Sequence, residues 1–403
     1  MQASQHDSQY SWIRLGVSMC LSIVGSMGIW AVVAIIPAVE SELEVGRAEA
    51  TLPFTAAMIG FALGNLTLGR AVDRFGISMV LVVAGCALAF GYVSASFASS
   101  IYTLTVLTFF QGFGSSACFG PLIADVSQWF MKRRGIAVAV TASGNYLSGA
   151  LWSPTIIWFS DDFGWRGAYV ALGIICFLVL LPGALFLRRQ IDQSSTDIAT
   201  ADAARHAATT GLSHQTLTVL LAAAGIGCCV AMSMPQVHII ALCVDRGFGA
   251  AAGAEMLSLM LMGGVVSRLV SGALADRLGG LPTLLIGSVL QTAGLCLYLI
   301  EGGLTSLYLI SLAFGLSQGG IVPSYAIIVR EYMPPREAGR RVGLVISATI
   351  LGMALGGWLT GWLYDIYGSY TVALWNGIGF NLFNAAIVLT ILYRIGRHQN
   401  AAA

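Results

Sequence analysis

Charged side chains are scarce in this 403-residue chain, and their scarcity excludes a water-soluble globular protein. Asp, Glu, Lys and Arg together make up 10% of the residues, whereas soluble domains contain about a quarter. Hydrophobic residues make up 57%, and the mean hydropathy is +0.81. A chain of this composition requires lipid as its solvent, so we expect a membrane protein.

Lysine is almost absent, since Lys132 is the only one, and the sequence has no Gly-x-x-x-x-Gly-Lys-Ser/Thr loop. The missing phosphate-binding loop argues against a process driven by ATP. The eight cysteines lie in apolar segments without the spacing of metal ligands, which favours small buried side chains over disulfides or a metal site. We expect no metal, no cofactor, no nucleic acid and no obligate protein partner, and we do not expect an enzyme.

Long apolar runs make up most of the chain. Each has about 17 to 28 residues, which is enough to cross a hydrocarbon layer of about 30 Å as a helix. They predict an all-α membrane protein with twelve transmembrane helices. The runs are Ile13 to Val39, Leu52 to Leu68, Met79 to Ala95, Tyr102 to Ile123, Gly135 to Phe159, Ala168 to Leu187, Thr216 to Cys243, Ala254 to Ala273, Leu281 to Ile300, Leu304 to Val329, Val342 to Leu363 and Val372 to Tyr393.

One short motif occurs twice at an offset of 203 residues. Gly69, Asp73, Arg74 and Gly76 return as Gly272, Asp276, Arg277 and Gly279. Each copy is expected to form a tight, charged turn between two apolar runs, and the repeat indicates two pseudo-symmetric six-helix bundles. We place the bundles at residues 1–188 and 215–403, joined by a polar cytoplasmic linker at 189–214. Parallel repeats of this kind are typical of transporters.

The positions of arginine predict the orientation in the membrane, because Lys and Arg in short loops stay on the cytoplasmic side. With both termini inside, sixteen of the twenty Lys and Arg residues fall in cytoplasmic loops or tails. Arg47, Arg166 and Arg246 fall on the other side, and Arg268 falls within an apolar run. We expect a multi-pass protein of the cell inner membrane with both termini in the cytoplasm.

The two Gly-x-x-x-Asp-Arg-x-Gly loops and the twelve runs resemble the major facilitator superfamily over essentially the whole chain. Further segments are similar to its branch of monocarboxylate transporters and oxalate:formate antiporters. These segments are Pro121-Leu122 followed by residues 129–135, Gly164-Trp165-Arg166, His238 before Asp245-Arg246-Gly247, and Arg268 four residues before Gly272. Gly264 stands where animal members carry an acidic residue. The eleventh apolar run, Val342 to Leu363, lacks the second buried cation expected of an oxalate carrier.

Two residues carry the expected chemistry of such a transporter. Arg268 is costly inside a membrane span unless it faces a wet cavity or a partner, and its guanidinium can bind a carboxylate through two parallel bonds. We interpret it as the substrate anchor, the alternative being that it reaches the headgroups or a nearby loop. His238 is interpreted as a proton-coupling group together with Arg268, or as a donor to the carboxylate, against a structural role.

The resemblance also implies a cavity lined by helices 1, 4, 7 and 10. It gives this role to polar and aromatic residues of those helices and to two residues of helix 5, with packing as the alternative for each. The predicted substrate-binding set is Ser26, Trp30, Cys118, Phe119, Asn145, Tyr146, Gln236, Gln318 and Tyr325, in addition to Arg268 and His238.

Charged residues near the motif predict a gate on the cytoplasmic side. Opposite charges there can hold the two halves together and release them when the halves rock. A role of the arginines in topology alone is the alternative. The predicted gating residues are Asp73, Arg74, Asp125, Arg134, Asp276 and Arg277.

The function that these observations favour is secondary active transport of a small organic anion. A monocarboxylate such as lactate or pyruvate, moved with protons by alternating access, fits best, because a dianion would leave one charge uncompensated beside a single arginine. The alternatives are an organic-anion exchanger, an exporter of drugs or metabolites, and a sensor that does not transport.

Overall fold

The computed structural model describes residues 7–130, 134–189, 212–300, 302–333 and 335–402. Most of the predicted linker lies outside these residues. The described residues form α1 (Gln9–Gly25), α2 (Met27–Leu43), α3 (Arg47–Ala50), α4 (Leu52–Ala95), α5 (Ile101–Ser116), α6 (Gly120–Gln128), α7 (Arg134–Phe186), α8 (His214–Asp245), α9 (Gly249–Leu278), α10 (Gly280–Tyr298), α11 (Leu304–Gln318), α12 (Ile321–Tyr332), α13 (Pro335–Tyr367) and α14 (Thr371–Ala402).

Twelve membrane spans run through the helices of the described ranges. Eleven helical segments there are long and apolar enough to cross a membrane. One of them, Ile136–Phe186, has 51 residues, whereas a bilayer requires about 20. Gly164 interrupts this segment with a non-helical backbone at φ 68° and ψ 167°. The segment therefore contains two spans, and the predicted total of twelve is confirmed.

The spans are numbered along the chain. Span 1 consists of α1 and α2, span 4 of α5 and α6, and span 10 of α11 and α12. Spans 2 and 3 lie within α4, and spans 5 and 6 within α7. The helices α8, α9, α10, α13 and α14 are spans 7, 8, 9, 11 and 12.

The repeated motif ends in the same backbone conformation in both halves. Gly76 has φ 80° and ψ 158°, and Gly279 has φ 86° and ψ 166°. Glycine adopts positive φ without steric cost, so these two positions account for the final glycine of the motif. The end of the molecule that contains both turns is named the motif end, and the opposite end is named the Arg47 end after the first residue of α3.

Close glycine contacts hold the spans together in the same way in each half. A Cβ atom added at Gly112 in span 4 would lie 1.9 Å from the carbonyl oxygen of Ala57 in span 2. A Cβ atom at Gly315 in span 10 would lie 2.0 Å from the carbonyl oxygen of Met260 in span 8. Both pairs are related by the offset of 203. Such close approach stabilises helix pairs in lipid, and the shared packing confirms two pseudo-symmetric bundles.

Three of the spans that were expected to line a cavity are broken near their middle. Span 1 is interrupted at Ser26, span 4 between Ser116 and Gly120, and span 10 between Gln318 and Ile321. Span 7 remains one helix but contains Pro235. Breaks free backbone polar groups inside the membrane, and they are tolerated where those groups face protein or a wet cavity. Broken helices also form the substrate sites of many transporters.

We predict that Gly315→Ala lowers the midpoint of thermal unfolding in detergent, because the added methyl group meets the backbone of Met260 and separates spans 8 and 10. The expected cost is about 1–3 kcal/mol. Gly379→Ala in α14 is the matched control, since nothing lies within 4 Å of its added Cβ and alanine favours helix. Equal midpoints for the two variants would contradict the close packing.

Candidate anion site between the two halves

Arg268 lies at the interface between the halves and is 7% exposed. It is in span 8, and its Nη1 donates to the carbonyl oxygen of Ala142 in span 5 at 2.7 Å. Its Nε donates to the carbonyl oxygen of Gly319, in the break of span 10, at 3.4 Å. The guanidinium therefore bridges the two bundles and uses a carbonyl group that the broken helix exposes.

Tyr146 of span 5 forms one wall of the site. The carbon of the Arg268 guanidinium lies 4.2 Å from the centre of the Tyr146 ring, in a cation–π arrangement. The Tyr146 hydroxyl donates to Oε1 of Gln318 at 3.3 Å, while Nε2 of Gln318 is buried without a hydrogen-bond partner. Tyr146 also packs against Gly264, where an added Cβ atom would lie 2.7 Å from the ring. An acidic side chain at position 264 would therefore displace the ring.

Trp30 of span 1 completes this group of side chains. Its indole nitrogen donates to the backbone carbonyl of Asn145 at 2.8 Å, and its ring lies edge-on to Tyr146 with 6.5 Å between the centres. Four of the predicted residues, Arg268, Tyr146, Gln318 and Trp30, are thus brought together. They are contributed by spans 8, 5, 10 and 1, and so by both halves.

The charge of Arg268 has no carboxylate partner among the described residues, whose ion pairs involve Arg14, Arg47 and Arg166. The guanidinium donates to two neutral carbonyl groups. A buried guanidinium without a counter-ion is unfavourable in a low-dielectric interior. The site therefore favours an anion, and the unpartnered amide nitrogen of Gln318 offers a second donor beside it.

Several other predicted site residues lie near the breaks of spans 1 and 4 or beside Pro235 of span 7. Cys118 is buried against span 1, where a Cβ atom added at Gly25 would lie 2.1 Å from its Sγ. The Phe119 ring packs on Phe61 at 5.7 Å between centres. Ser26 and both polar side-chain atoms of Gln236 are buried without hydrogen-bond partners. These residues have no contact with Arg268 that the structure describes, although their polar atoms can be satisfied by a ligand or by water.

Tyr325 lies in the interior of the second bundle and not beside Arg268. Its hydroxyl donates to Oδ1 of Asn384 at 2.9 Å, and Nδ2 of Asn384 donates to Ser288 at 2.8 Å. The ring belongs to an apolar cluster with residues of spans 7, 9 and 12. A polar network of this kind fixes the packing of spans 9, 10 and 12.

His238 is fully buried at a different depth from Arg268. It lies seven residues before Asp245 at the end of α8, so about 10 Å from the Arg47 end, whereas Arg268 lies nineteen residues after Gly249, about 28 Å from that end. Nε2 of His238 donates to the carbonyl oxygen of Gly357 at 2.8 Å, which leaves Nδ1 buried without a partner. The two predicted coupling residues are therefore separated by roughly 18 Å of membrane depth.

The predicted gating residues are only partly described. The side chains of Asp73, Arg134 and Asp276 lie outside the described residues. Arg74 is exposed, with its guanidinium 5.2 Å from the centre of the Phe75 ring, and Arg277 is exposed at the end of α9.

Asp125, the remaining predicted gating residue, pairs within the first half. It accepts two bonds from Arg14, at 2.8 and 3.0 Å, and Arg14 is 1% exposed. Arg14 also donates to the carbonyl oxygens of Leu187 and Arg189 at the end of span 6, and it lies over the Trp129 ring at 4.6 Å. This ion pair therefore joins spans 1, 4 and 6 of one bundle.

A second group of charges, which the sequence analysis did not identify, joins the halves at the Arg47 end. We name Arg47, Glu40, Asp245, Asp365 and Tyr370 the Arg47 cluster. Nε of Arg47 donates to Glu40 at 2.6 Å, and its two terminal nitrogens donate to Asp245 at 3.0 Å each. Asp365 accepts the backbone N–H of Arg47 at 2.8 Å, and Tyr370 binds the guanidinium through its hydroxyl. The cluster thus ties α3 of the first half to the second half.

The sequence carried a weak signal for this cluster. Arg47 is one of three arginines predicted on the non-cytoplasmic side, and acidic residues end the neighbouring spans. Arg47 and Asp245 are 198 positions apart, however. No local sequence pattern predicts which acidic residue approaches which arginine. The pairing could be identified only from the packing of the two halves.

Comparison with known proteins agrees with this architecture. The sequence profile of the Major Facilitator Superfamily matches residues 18–300 and 219–402. The chain belongs to the major facilitator superfamily. A solved structure of a bacterial homologue of the human lysosomal transporter Spinster, in an inward-facing and unoccupied conformation, is similar with a TM-score of 0.74 and 12% identity over 97% of this chain and 99% of that chain. This likeness supports the fold.

Among curated relatives, monocarboxylate transporter 13 of Bos taurus is 27% identical over 344 residues, which cover 83% of this chain and 79% of that protein. Monocarboxylate transporter 11 of Homo sapiens is 31% identical over 315 residues, 74% of this chain and 65% of that protein. The MFS-type transporter pynF of Aspergillus niger is 24% identical over 337 residues, 82% and 76% of the two chains. The resemblance to the monocarboxylate transporter branch is confirmed, and family and fold are those of multi-pass membrane transporters.

The Arg14–Asp125 pair generates a stability prediction. Asp125→Asn is expected to destabilise the first bundle by about 3–5 kcal/mol, because it leaves a buried guanidinium without its carboxylate. Replacing both partners, with Arg14→Met and Asp125→Leu, should recover part of that loss. Thermal unfolding in detergent measures the effect, with the exposed Asp161→Asn as control. A midpoint for Asp125→Asn equal to that of the control would show that the pair contributes little.

Proposed function

We propose that this protein is a secondary active transporter that moves a small organic anion, with a monocarboxylate such as lactate or pyruvate as substrate, together with protons. The observation that carries the proposal is the buried guanidinium of Arg268, which has no carboxylate partner among the described residues and lies between the halves. A bound carboxylate would supply the missing charge through charge-assisted hydrogen bonds. The relationship to monocarboxylate transporters supports the same substrate class.

The neighbours of Arg268 favour a small substrate with one charge. Tyr146 and Trp30 present aromatic rings, and Gln318 presents a neutral amide donor. One cation can compensate one carboxylate, whereas a second carboxylate in the same low-dielectric site would remain unpaired. Aromatic walls with a few polar groups are typical of sites for small, partly apolar ligands.

Alternating access is the mechanism that this location supports. Arg268, Gln318, Tyr146 and Trp30 come from both bundles, so rocking of the halves would open the site to either end in turn. In the proposed orientation the motif end is cytoplasmic, in an inner membrane with both termini inside. The motif residues Asp73, Arg74, Asp276 and Arg277 are proposed to control that end, and the Arg47 cluster lies at the other.

The anchoring role predicts that Arg268→Gln reduces carboxylate uptake at least about 100-fold, since a charge-assisted pair in a shielded site is worth roughly 3 kcal/mol. Arg268→Lys should rescue poorly, because lysine lacks the planar fork. Uptake of labelled lactate, pyruvate and a dicarboxylate into proteoliposomes measures this, with the exposed Arg246→Gln as a matched control. Normal uptake by Arg268→Gln would exclude the anchoring role, and preference for the dicarboxylate would exclude the single-charge substrate.

Proton coupling predicts that uptake rises when the external side is acidified. His238 is proposed to take part, because its buried, unpartnered Nδ1 can accept a proton. His238→Gln should weaken the dependence of uptake on the pH gradient while exchange of labelled for unlabelled substrate continues. An organic-anion exchanger gives a different result, in which uptake follows internal substrate and ignores the proton gradient. An unchanged pH profile in His238→Gln would remove this residue from the proton path.

A further inference from the structure

The Arg47 cluster contains more carboxylate groups than its single guanidinium can neutralise. Three carboxylates, of Glu40, Asp245 and Asp365, meet around Arg47 at the interface of the halves. Tyr370 adds no charge, because burial raises the pKa of its hydroxyl well above the ordinary value. The side chains of Glu40 and Asp245 are 24% and 25% exposed, and Asp365 is exposed. With all three acids ionised, the cluster would carry two uncompensated negative charges close together at this end of the interface. Binding a proton would relieve that repulsion.

The three carboxylates differ in the number of hydrogen bonds that they accept. Asp245 accepts two parallel bonds from the guanidinium of Arg47. Asp365 accepts two backbone N–H groups, of Arg47 and Ala48, at the start of α3. Glu40 accepts one bond, from Nε of Arg47, among the contacts described for it. Since more donors favour the ionised form, Glu40 is the carboxylate most easily protonated.

The carboxylates also belong to different halves. Glu40 and Arg47 are in the first half, whereas Asp245, Asp365 and Tyr370 are in the second. If the halves separate at this end, Asp245 and Asp365 leave the arginine and Glu40 keeps it. The crowding of acids therefore exists only while the Arg47 end is closed.

We propose that Glu40 is a proton-binding site of a gate at the Arg47 end, and that closing this gate is coupled to binding one proton. The closed state crowds Glu40 against Asp245 and holds the proton more tightly than the open state, in which Glu40 faces Arg47 alone. By linkage, acidification shifts the population toward the closed state. The proposal rests on the alternating access of the proposed function, and it adds a proton site apart from the Arg268 group.

The groups that face Glu40 are Arg47, Asp245 and Asp365, with the Tyr364 ring on the Arg47 guanidinium at 4.6 Å between the guanidinium carbon and the ring centre. Tyr370 lies next to Tyr364, and His238 lies behind Tyr370 with 5.7 Å between ring centres. The contacts lead from the cluster through Tyr370 to the His238 ring, so His238 is the competing proton site that the experiment must separate from Glu40.

The opening of this end is measured by the distance between spin labels at Ser99→Cys and Thr305→Cys. Both positions are exposed, one in each half, and neither belongs to the Arg47 cluster. The exposed Cys20, Cys86 and Cys296 are first replaced by alanine. In the purified protein without substrate, lowering the pH from about 8 to about 5 should raise the ratio of closed to open populations, by at most about tenfold per pH unit for one proton.

Glu40→Gln should hold the Arg47 end closed and remove the pH dependence of the label distances, while Glu40→Asp, which keeps a carboxyl group, should retain part of it. Glu42→Gln is the matched control, because this acid on the same helix binds Trp165 and Arg166 within the first half. It should respond to pH as the parent does. His238→Gln tests the competing proton site: its effect is expected on uptake, whereas its label distances without substrate should still respond to pH.

Three results would overturn the proposal. These are a parent protein whose distances ignore pH, a Glu40→Gln variant that responds like the parent, and loss of the response in His238→Gln instead of Glu40→Gln. Because the distances need no substrate, they are independent of the carboxylate assay. If lactate uptake fails but the Glu40-dependent response is present, the substrate assignment falls and the proton gate stands.

Discussion

A guanidinium buried in a membrane protein needs a partner, and this structure depends on how that requirement is met. Three arginines are buried in the described part of the chain, and each is satisfied differently. Arg14 has one carboxylate within its own bundle, Arg47 has several carboxylates across the interface, and Arg268 has carbonyl groups and a ring. Arginine therefore forms an ion pair within one bundle, an ion pair between the two bundles, and a buried charge without a carboxylate partner among the described residues.

The packing of the bundles makes these arrangements possible. In lipid the helices gain no hydrophobic energy from meeting one another, so they associate through close backbone contact. Gly112 and Gly315 provide such contact at equivalent places in the two halves. Spans 4 and 10 can then break in the middle without losing their neighbours, and the break of span 10 supplies the carbonyl oxygen that Arg268 binds.

The charged groups of the interface lie at two different membrane depths, which favours separate roles for them. The Arg268 group lies toward the motif end, and the Arg47 cluster with His238 lies toward the opposite end. The proposed substrate site and the proposed proton site lie apart, so they need not compete for one charge. Both of the proposed sites bridge the halves, so a change in the relative position of the halves would link them, and such a two-state element is what coupling between sites requires.

The sequence alone determined the twelve spans, the repeat with its Gly76 and Gly279 turns, and the presence of an arginine within a span at position 268. These features depend on local sequence, because a bilayer selects runs of consecutive apolar residues and a turn with positive φ selects glycine. Only the tertiary structure decided that Tyr146 occupies the space beside Gly264, that Asp125 pairs with Arg14, and that Arg47 collects Glu40 and Asp245. These partners lie up to 198 positions apart. The packing of whole helices and of the two halves decides which of these residues meet, and local periodicity in the sequence does not predict it.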